Sequence, residues 1–119
     1  SAKPVINWYS FVLTADSYGF FIKYWFPDFP WNIPDHYHKR SPLSLVGNVT
    51  TPTMLLTGEV DYRTPISESE QYYQALKLRK IDTKLVRIPG ASHGIYLRPS
   101  QHISKVAEIL DWFEKYRKE

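Results

Sequence analysis

The sequence predicts an α/β fold built on a parallel strand pair with crossover helices, and three observations carry that expectation. Two short runs, Thr53-Met54-Leu55-Leu56-Thr57 ended by Gly58 and Lys84 to Ile88, have the form of buried strands. A helical pattern follows each run, so the tail of the chain reads strand, helix, strand, helix. A helical crossover between two strands makes the pair parallel, and a parallel pair belongs inside a larger sheet covered on both faces. The chain offers at most one further strand, ending near Val5-Ile6. The sheet is therefore expected to be incomplete, and the start at Ser1, with no initiator Met and no signal-peptide pattern, reads as an interior cut.

In chain order, Asn7 is a plausible N-cap for a helix beginning near Trp8. Aromatic residues crowd positions 7 to 26, and two readings stand side by side: ordinary core, or a partial wall for an apolar pocket. From Pro27 to Pro52, with Pro30, Pro34 and Pro42 between them, an irregular surface connection is expected. A helix is expected from about Ile66 to Lys80, with Ile66, Tyr73 and Leu76 on one face. Glu68 and Glu70 in its first turn and Lys77, Arg79 and Lys80 in its last suit the helix dipole. Ile103, Val106, Ala107, Leu110 and Phe113 recur at helical spacing, which gives an amphipathic helix from about Ser100 to Tyr116.

Composition narrows the function. At 119 residues with 43% apolar content, the chain is long enough to bury a core. Its 15 basic and 12 acidic side chains are interspersed, so the net charge of +3 forms no phosphate-tracking stripe and nucleic acid is not an expected partner. Apolar stretches are broken well short of the roughly 18 to 20 residues of a membrane span. The absence of cysteine excludes disulfides, thiolate ligands and a cysteine nucleophile, and suits a reducing, cytoplasmic setting. No metal or cofactor is expected: His36 and His38 read as loop histidines without converging ligands.

The chemistry concentrates at the ends of the two strands. Asp61, in Gly58-Glu59-Val60-Asp61-Tyr62-Arg63-Thr64-Pro65, lies just past the first strand, and His93, in Gly90-Ala91-Ser92-His93-Gly94, just past the second. Open α/β sheets place reactive groups at that edge. A carboxylate that accepts one imidazole N–H leaves the other ring nitrogen free to take a proton from a serine hydroxyl. Acid before histidine, with serine earlier still, is the order of α/β-hydrolases. Gly90-Ala91-Ser92-His93-Gly94 also matches G-x-S-x-G formally, but Arg98-Pro99 interrupts any helix starting at Ser92 and no histidine follows Asp111. Ser92 is expected to be a small loop residue.

Together with Asn7-Trp8-Tyr9-Ser10-Phe11, Pro30-Trp31, Arg40-Ser41-Pro42-Leu43, Thr51-Pro52-Thr53 and Ile109-Leu110-Asp111-Trp112-Phe113, these segments make nearly the whole chain resemble the C-terminal part of the catalytic domain of prolyl oligopeptidase family serine peptidases, especially the acylaminoacyl-peptidase and dipeptidyl-peptidase-like branch. The resemblance implies the C-terminal portion of an α/β-hydrolase fold over residues 1–119, with the nucleophile-bearing part and a β-propeller outside it. It implies a peptide substrate, Asp61 and His93 as catalytic acid and base, Arg63 as a contact to a substrate carbonyl, with an ion pair to Glu59 or another loop acid as the alternative for that side chain, and Phe11 and Ala15 lining the pocket for the side chain before the scissile bond. The isolated chain would then be inactive, and a homo-oligomer is a further possible partner. The rival readings are an esterase or lipase of the same fold, and a non-catalytic module that binds or dimerises through its sheet edge.

Overall fold

A computed structural model describes residues 1–117. The Asn7 side chain accepts the Tyr9 N–H at 3.1 Å and so starts α1 (Trp8–Thr14), which stops where Ala15 turns extended. α2 (Tyr18–Tyr24) follows, and the aromatic side chains close on one another. The Trp8 ring lies within 5.5 Å of Phe11, Phe21, Trp25 and Phe26, centroid to centroid. Phe11, Val12, Ala15, Phe26 and Tyr37 are the buried heart of this cluster, while Tyr18, Phe20, Tyr24 and Trp25 face outward.

The stretch from Pro27 to Pro52 departs from the expected irregular connection. It holds α3 (Pro34–Arg40) and a 3₁₀ helix over Pro42–Asn48. Pro34 and Pro42 each stand in the first turn, where the missing N–H has no intrahelical role and the fixed φ suits a helix. His36 and His38 are accordingly helical residues. Tyr37 anchors α3, its ring stacked 4.0 Å from Phe26 and its hydroxyl donating to the Asp28 carbonyl at 2.8 Å.

β1 (Thr53–Gly58) and β2 (Thr83–Ile88) pair in parallel, from Thr53 opposite Thr83 to Gly58 opposite Ile88. On the other edge of β1, Ala2 bridges Leu56 in parallel, with Lys3 N–H on the Leu56 carbonyl at 2.8 Å. The third extended segment is thus Ser1 to Lys3 and does not reach Val5-Ile6: Lys3 has φ of 51°, and this left-handed residue turns the chain out of the sheet. β1 is the central strand, which accounts for its nearly continuous burial.

Helices cover both faces of the sheet. α4 (Ile66–Leu78) packs on one face, where the Thr57 and Ser69 hydroxyls meet and Leu76 is fully buried. It ends two residues before the expected Lys80, which takes φ of 60° and closes the helix. α5 (Pro99–Lys115) packs on the other, setting Ile109 and Trp112 against Met54, Leu56, Val86 and Ile88. The expected core stripe of α5 does not meet this core: Ile103 and Phe113 are each 67% exposed, and Val106 and Leu110 also face outward. Two strands and a bridge are too narrow a sheet to cover that side of the helix.

Candidate active site

The two loops at the C-terminal end of the strands are stitched together by backbone. Glu59 N–H donates to the Ile88 carbonyl at 2.9 Å and Val60 N–H to the Ala91 carbonyl at 3.0 Å. That approach requires glycine at the end of β1: a Cβ on Gly58 would run into the Ala91 carbonyl oxygen and lie 2.7 Å from that of Ser92. On the other side, Gly90 turns the chain with φ of 64°. Ile95, two residues past His93, also has positive φ, at 45°, and its complete burial in the sheet core holds this unfavourable conformation.

Asp61 is 2% exposed, and its carboxylate is fully engaged. Oδ1 accepts the Arg63 N–H at 2.9 Å and the Thr64 N–H at 2.8 Å. Oδ2 accepts the Thr64 hydroxyl at 3.0 Å and faces His93 Nδ1 at 2.9 Å. A charged acceptor this close fixes the imidazole proton on Nδ1, leaving Nε2, on the far side of the ring, as the acceptor. The His93 side chain is 45% exposed. The pair has what proton transfer needs: a buried, oriented acid behind an accessible base.

The other predicted residues lie elsewhere. Arg63 Nε donates to Asp16 Oδ1 at 2.9 Å, and the Asp16 N–H donates to the Tyr62 carbonyl at 2.8 Å, so the loop after α1 is clasped to the acid loop. Phe11 and Ala15 are core residues, 1% and 4% exposed. The edges of Trp8 and Phe21 close over Phe11 with centroids at 5.0 and 5.1 Å, which leaves no free ring surface for direct substrate contact. Ser92 starts no helix: its carbonyl accepts the Ile95 N–H at 3.2 Å in a turn, and the next helix begins at Pro99.

Three residues that sequence reasoning did not single out shape the site. Thr64 and Asp16 are the contacts just described. Glu68 lies in the first turn of α4 as expected, but its further role was not foreseen: it is fully buried and ties α1 to α4. Its Oε1 accepts the Ile6 and Asn7 N–H groups at 3.1 and 2.9 Å, and its Oε2 accepts from Ser10 Oγ at 2.7 Å and Gln71 Nε2 at 3.0 Å. Only the Asp-x-x-Thr spacing of Asp61 and Thr64, a common local turn pattern, was visible in the sequence.

A parallel sheet with helices on both faces, and an Asp-His pair at its C-terminal edge, define part of an α/β-hydrolase. Comparison with known proteins then places it more narrowly. The model of the prolyl oligopeptidase family matches residues 1–119, and the chain belongs to that family. It is 36% identical over 116 residues to the uncharacterized peptidase YuxL of Bacillus subtilis, covering 96% of this chain and 18% of that protein. It is 38% identical over 82 residues to the acylamino-acid-releasing enzyme of Arabidopsis thaliana, covering 69% of this chain and 11% of that protein. Among solved structures, Pyrococcus horikoshii acylaminoacyl peptidase superposes with a TM-score of 0.90 at 25% identity, over 100% of this chain and 20% of that one. An acylaminoacyl peptidase in complex with Z-Gly-Gly-Phe-chloromethyl ketone gives a TM-score of 0.88 at 27% identity, over 99% of this chain and 19% of that one. The chain thus spans a fifth or less of these relatives.

Proposed function

We propose that residues 1–119 are the C-terminal part of the catalytic domain of a serine peptidase acting on short peptides, with Asp61 as the orienting acid, His93 as the general base and the nucleophilic serine supplied upstream. The observation that carries the reading is the 2.9 Å contact between His93 Nδ1 and the buried Asp61 Oδ2. In this mechanism His93 Nε2 takes the serine hydroxyl proton as the serine oxygen attacks the peptide carbonyl, and Asp61 stabilises the imidazolium. His93 then returns the proton to the departing amine. Water, activated by the same nitrogen, hydrolyses the acyl-enzyme ester. Family membership and relatives named as acylamino-acid-releasing enzymes and a dipeptidyl peptidase support peptide substrates.

Arg63 sits two residues past the acid, with guanidinium donors beyond the one given to Asp16, and is the proposed contact to a substrate carbonyl. Phe11 and Ala15 act behind the pocket, holding the helix and loop that present its wall. The open face of α5 and the short sheet fit burial against the upstream part of the catalytic domain, and the length of the relatives leaves room for that part and for a β-propeller. β2 lacks a partner strand on its outer edge among the described residues, which suits pairing between copies. No described helix is long and apolar enough to cross a membrane, and the absence of cysteine favours a cytoplasmic site.

The test is hydrolysis of acetylated, free-amino and ester substrates by the full-length protein and its Asp61→Asn and His93→Ala variants. Peptide cleavage that falls by about 10³-fold or more in both variants supports the proposal. Cleavage of esters alone points to an esterase, and activity unchanged by either substitution removes the pair from catalysis.

A further inference from the structure

We infer that Thr64 is a positioning residue for the base, its hydroxyl holding the His93 imidazole in register with the Asp61 carboxylate. The inference rests on reading Asp61 and His93 as acid and base. Thr64 Oγ1 lies 3.0 Å from Asp61 Oδ2 and 3.2 Å from His93 Nδ1, and those two atoms are 2.9 Å apart. Three polar atoms therefore form one small triangle. A hydroxyl has one proton and two lone pairs, so Thr64 can donate to Oδ2 while its oxygen takes a share of the Nδ1 proton.

The carboxylate does not depend on this hydroxyl, because the backbone N–H groups of Arg63 and Thr64 already hold Oδ1. The ring does. His93 is nearly half exposed, so packing alone holds it weakly, and both acceptors of its Nδ1 proton, Asp61 Oδ2 and Thr64 Oγ1, belong to the acid loop. Thr64 is suited to act as a fixed stop for the ring. Its N–H is committed to Asp61, the following Pro65 biases its backbone away from the helical region, and its β-branched side chain has few rotamers. Without the hydroxyl the ring can tilt about its bond to Oδ2, which displaces Nε2 at the reacting end. Displacements of about 1 Å in such sites cost up to about 10²-fold in rate.

The experiment compares Thr64→Val, Thr64→Ala and Thr64→Ser in the full-length protein, reading kcat and KM separately and the melting temperature of each. The expected result is a kcat lower by about tenfold in Thr64→Val and Thr64→Ala at unchanged KM, with Thr64→Ser within about threefold of the parent. If the valine variant misfolds, the smaller alanine decides the outcome. Unchanged kcat in a folded variant lacking the hydroxyl, alongside an inactive His93→Ala, overturns the role of Thr64. Full activity in His93→Ala overturns the acid-base reading itself.

Discussion

The Val60 N–H donates to the carbonyl oxygen of Ala91 at 3.0 Å, joining the loop that carries Asp61 to the loop that carries His93. This bond lies beyond the last paired residues of β1 and β2, so the parallel sheet in effect continues into the site. Its consequence is that Asp61 and His93, 32 positions apart in sequence, are brought together by backbone hydrogen bonds as well as by their own side-chain contact.

Gly58 permits that junction, and Gly58→Ala is expected to break it. The new methyl would collide with backbone carbonyls of Ala91 and Ser92, which cannot rotate away as a side-chain tip can. A loss of about 1 to 3 kcal/mol in stability is expected, together with loss of peptidase activity. Thermal denaturation of the full-length variant checks the first and steady-state hydrolysis the second.

Glu68 holds α1 on α4 through four accepted hydrogen bonds. Glu68→Ala strands the Ile6 and Asn7 N–H groups, while Ser10 keeps the Asn7 carbonyl and Gln71 keeps Ser10 Oγ as acceptors, and is expected to cost about 3 kcal/mol. Glu68→Gln keeps the shape but turns a donor toward donors, and should cost about half as much. Denaturant unfolding of both variants measures the order and the size.

The Arg63 and Asp16 side chains are both about half exposed, so their ion pair should contribute less than about 1 kcal/mol to stability. If Arg63 has the proposed role at the substrate carbonyl, the pair orders its guanidinium before substrate arrives. Asp16→Asn is expected to raise KM by about threefold with kcat unchanged, and to add nothing once Arg63 is replaced by alanine. Michaelis parameters for the two single variants and the double variant settle this.

His36 gives a pH signature outside the site. Burial of its ring beside Phe26 and then the charges of Arg40 and Lys39 hold its titration below the ordinary range, and its buried Nε2 has no hydrogen-bond partner among the described residues. A histidine depressed in the folded state binds fewer protons folded than unfolded. Its contribution is therefore complete above about pH 6.5, the ordinary histidine value, and is lost as the pH falls through the folded value. The melting temperature should drop more between pH 7 and pH 5 in the parent than in His36→Phe, as pH-dependent melting curves will report.

Much of this fold was legible because its signals are local. The apolar run at Met54 to Leu56, the Gly58 stop and the charged ends of α4 each specify structure within a few residues. α3 and the 3₁₀ helix are hard to read from the sequence because proline most often breaks helices, whereas Pro34 and Pro42 begin them. Periodicity made α5 amphipathic, but it carries no information about which face meets Met54 and Leu56: Ile109 and Trp112 do, while Ile103, Val106, Leu110 and Phe113 stay open. Asp61 and His93 stood out through strand context and motif. Glu68 could not, since its burial comes from Ile6, 62 positions away, and Thr64 gains its second contact only when the base loop folds over it.

The most direct test is covalent labelling of the full-length protein with a fluorophosphonate, followed by peptide mapping, in the parent and in His93→Ala. The account predicts one labelled serine upstream of residue 1, with labelling lost when His93 is replaced. Label on Ser92 or another serine within residues 1–119, or labelling of equal rate in His93→Ala, would contradict it.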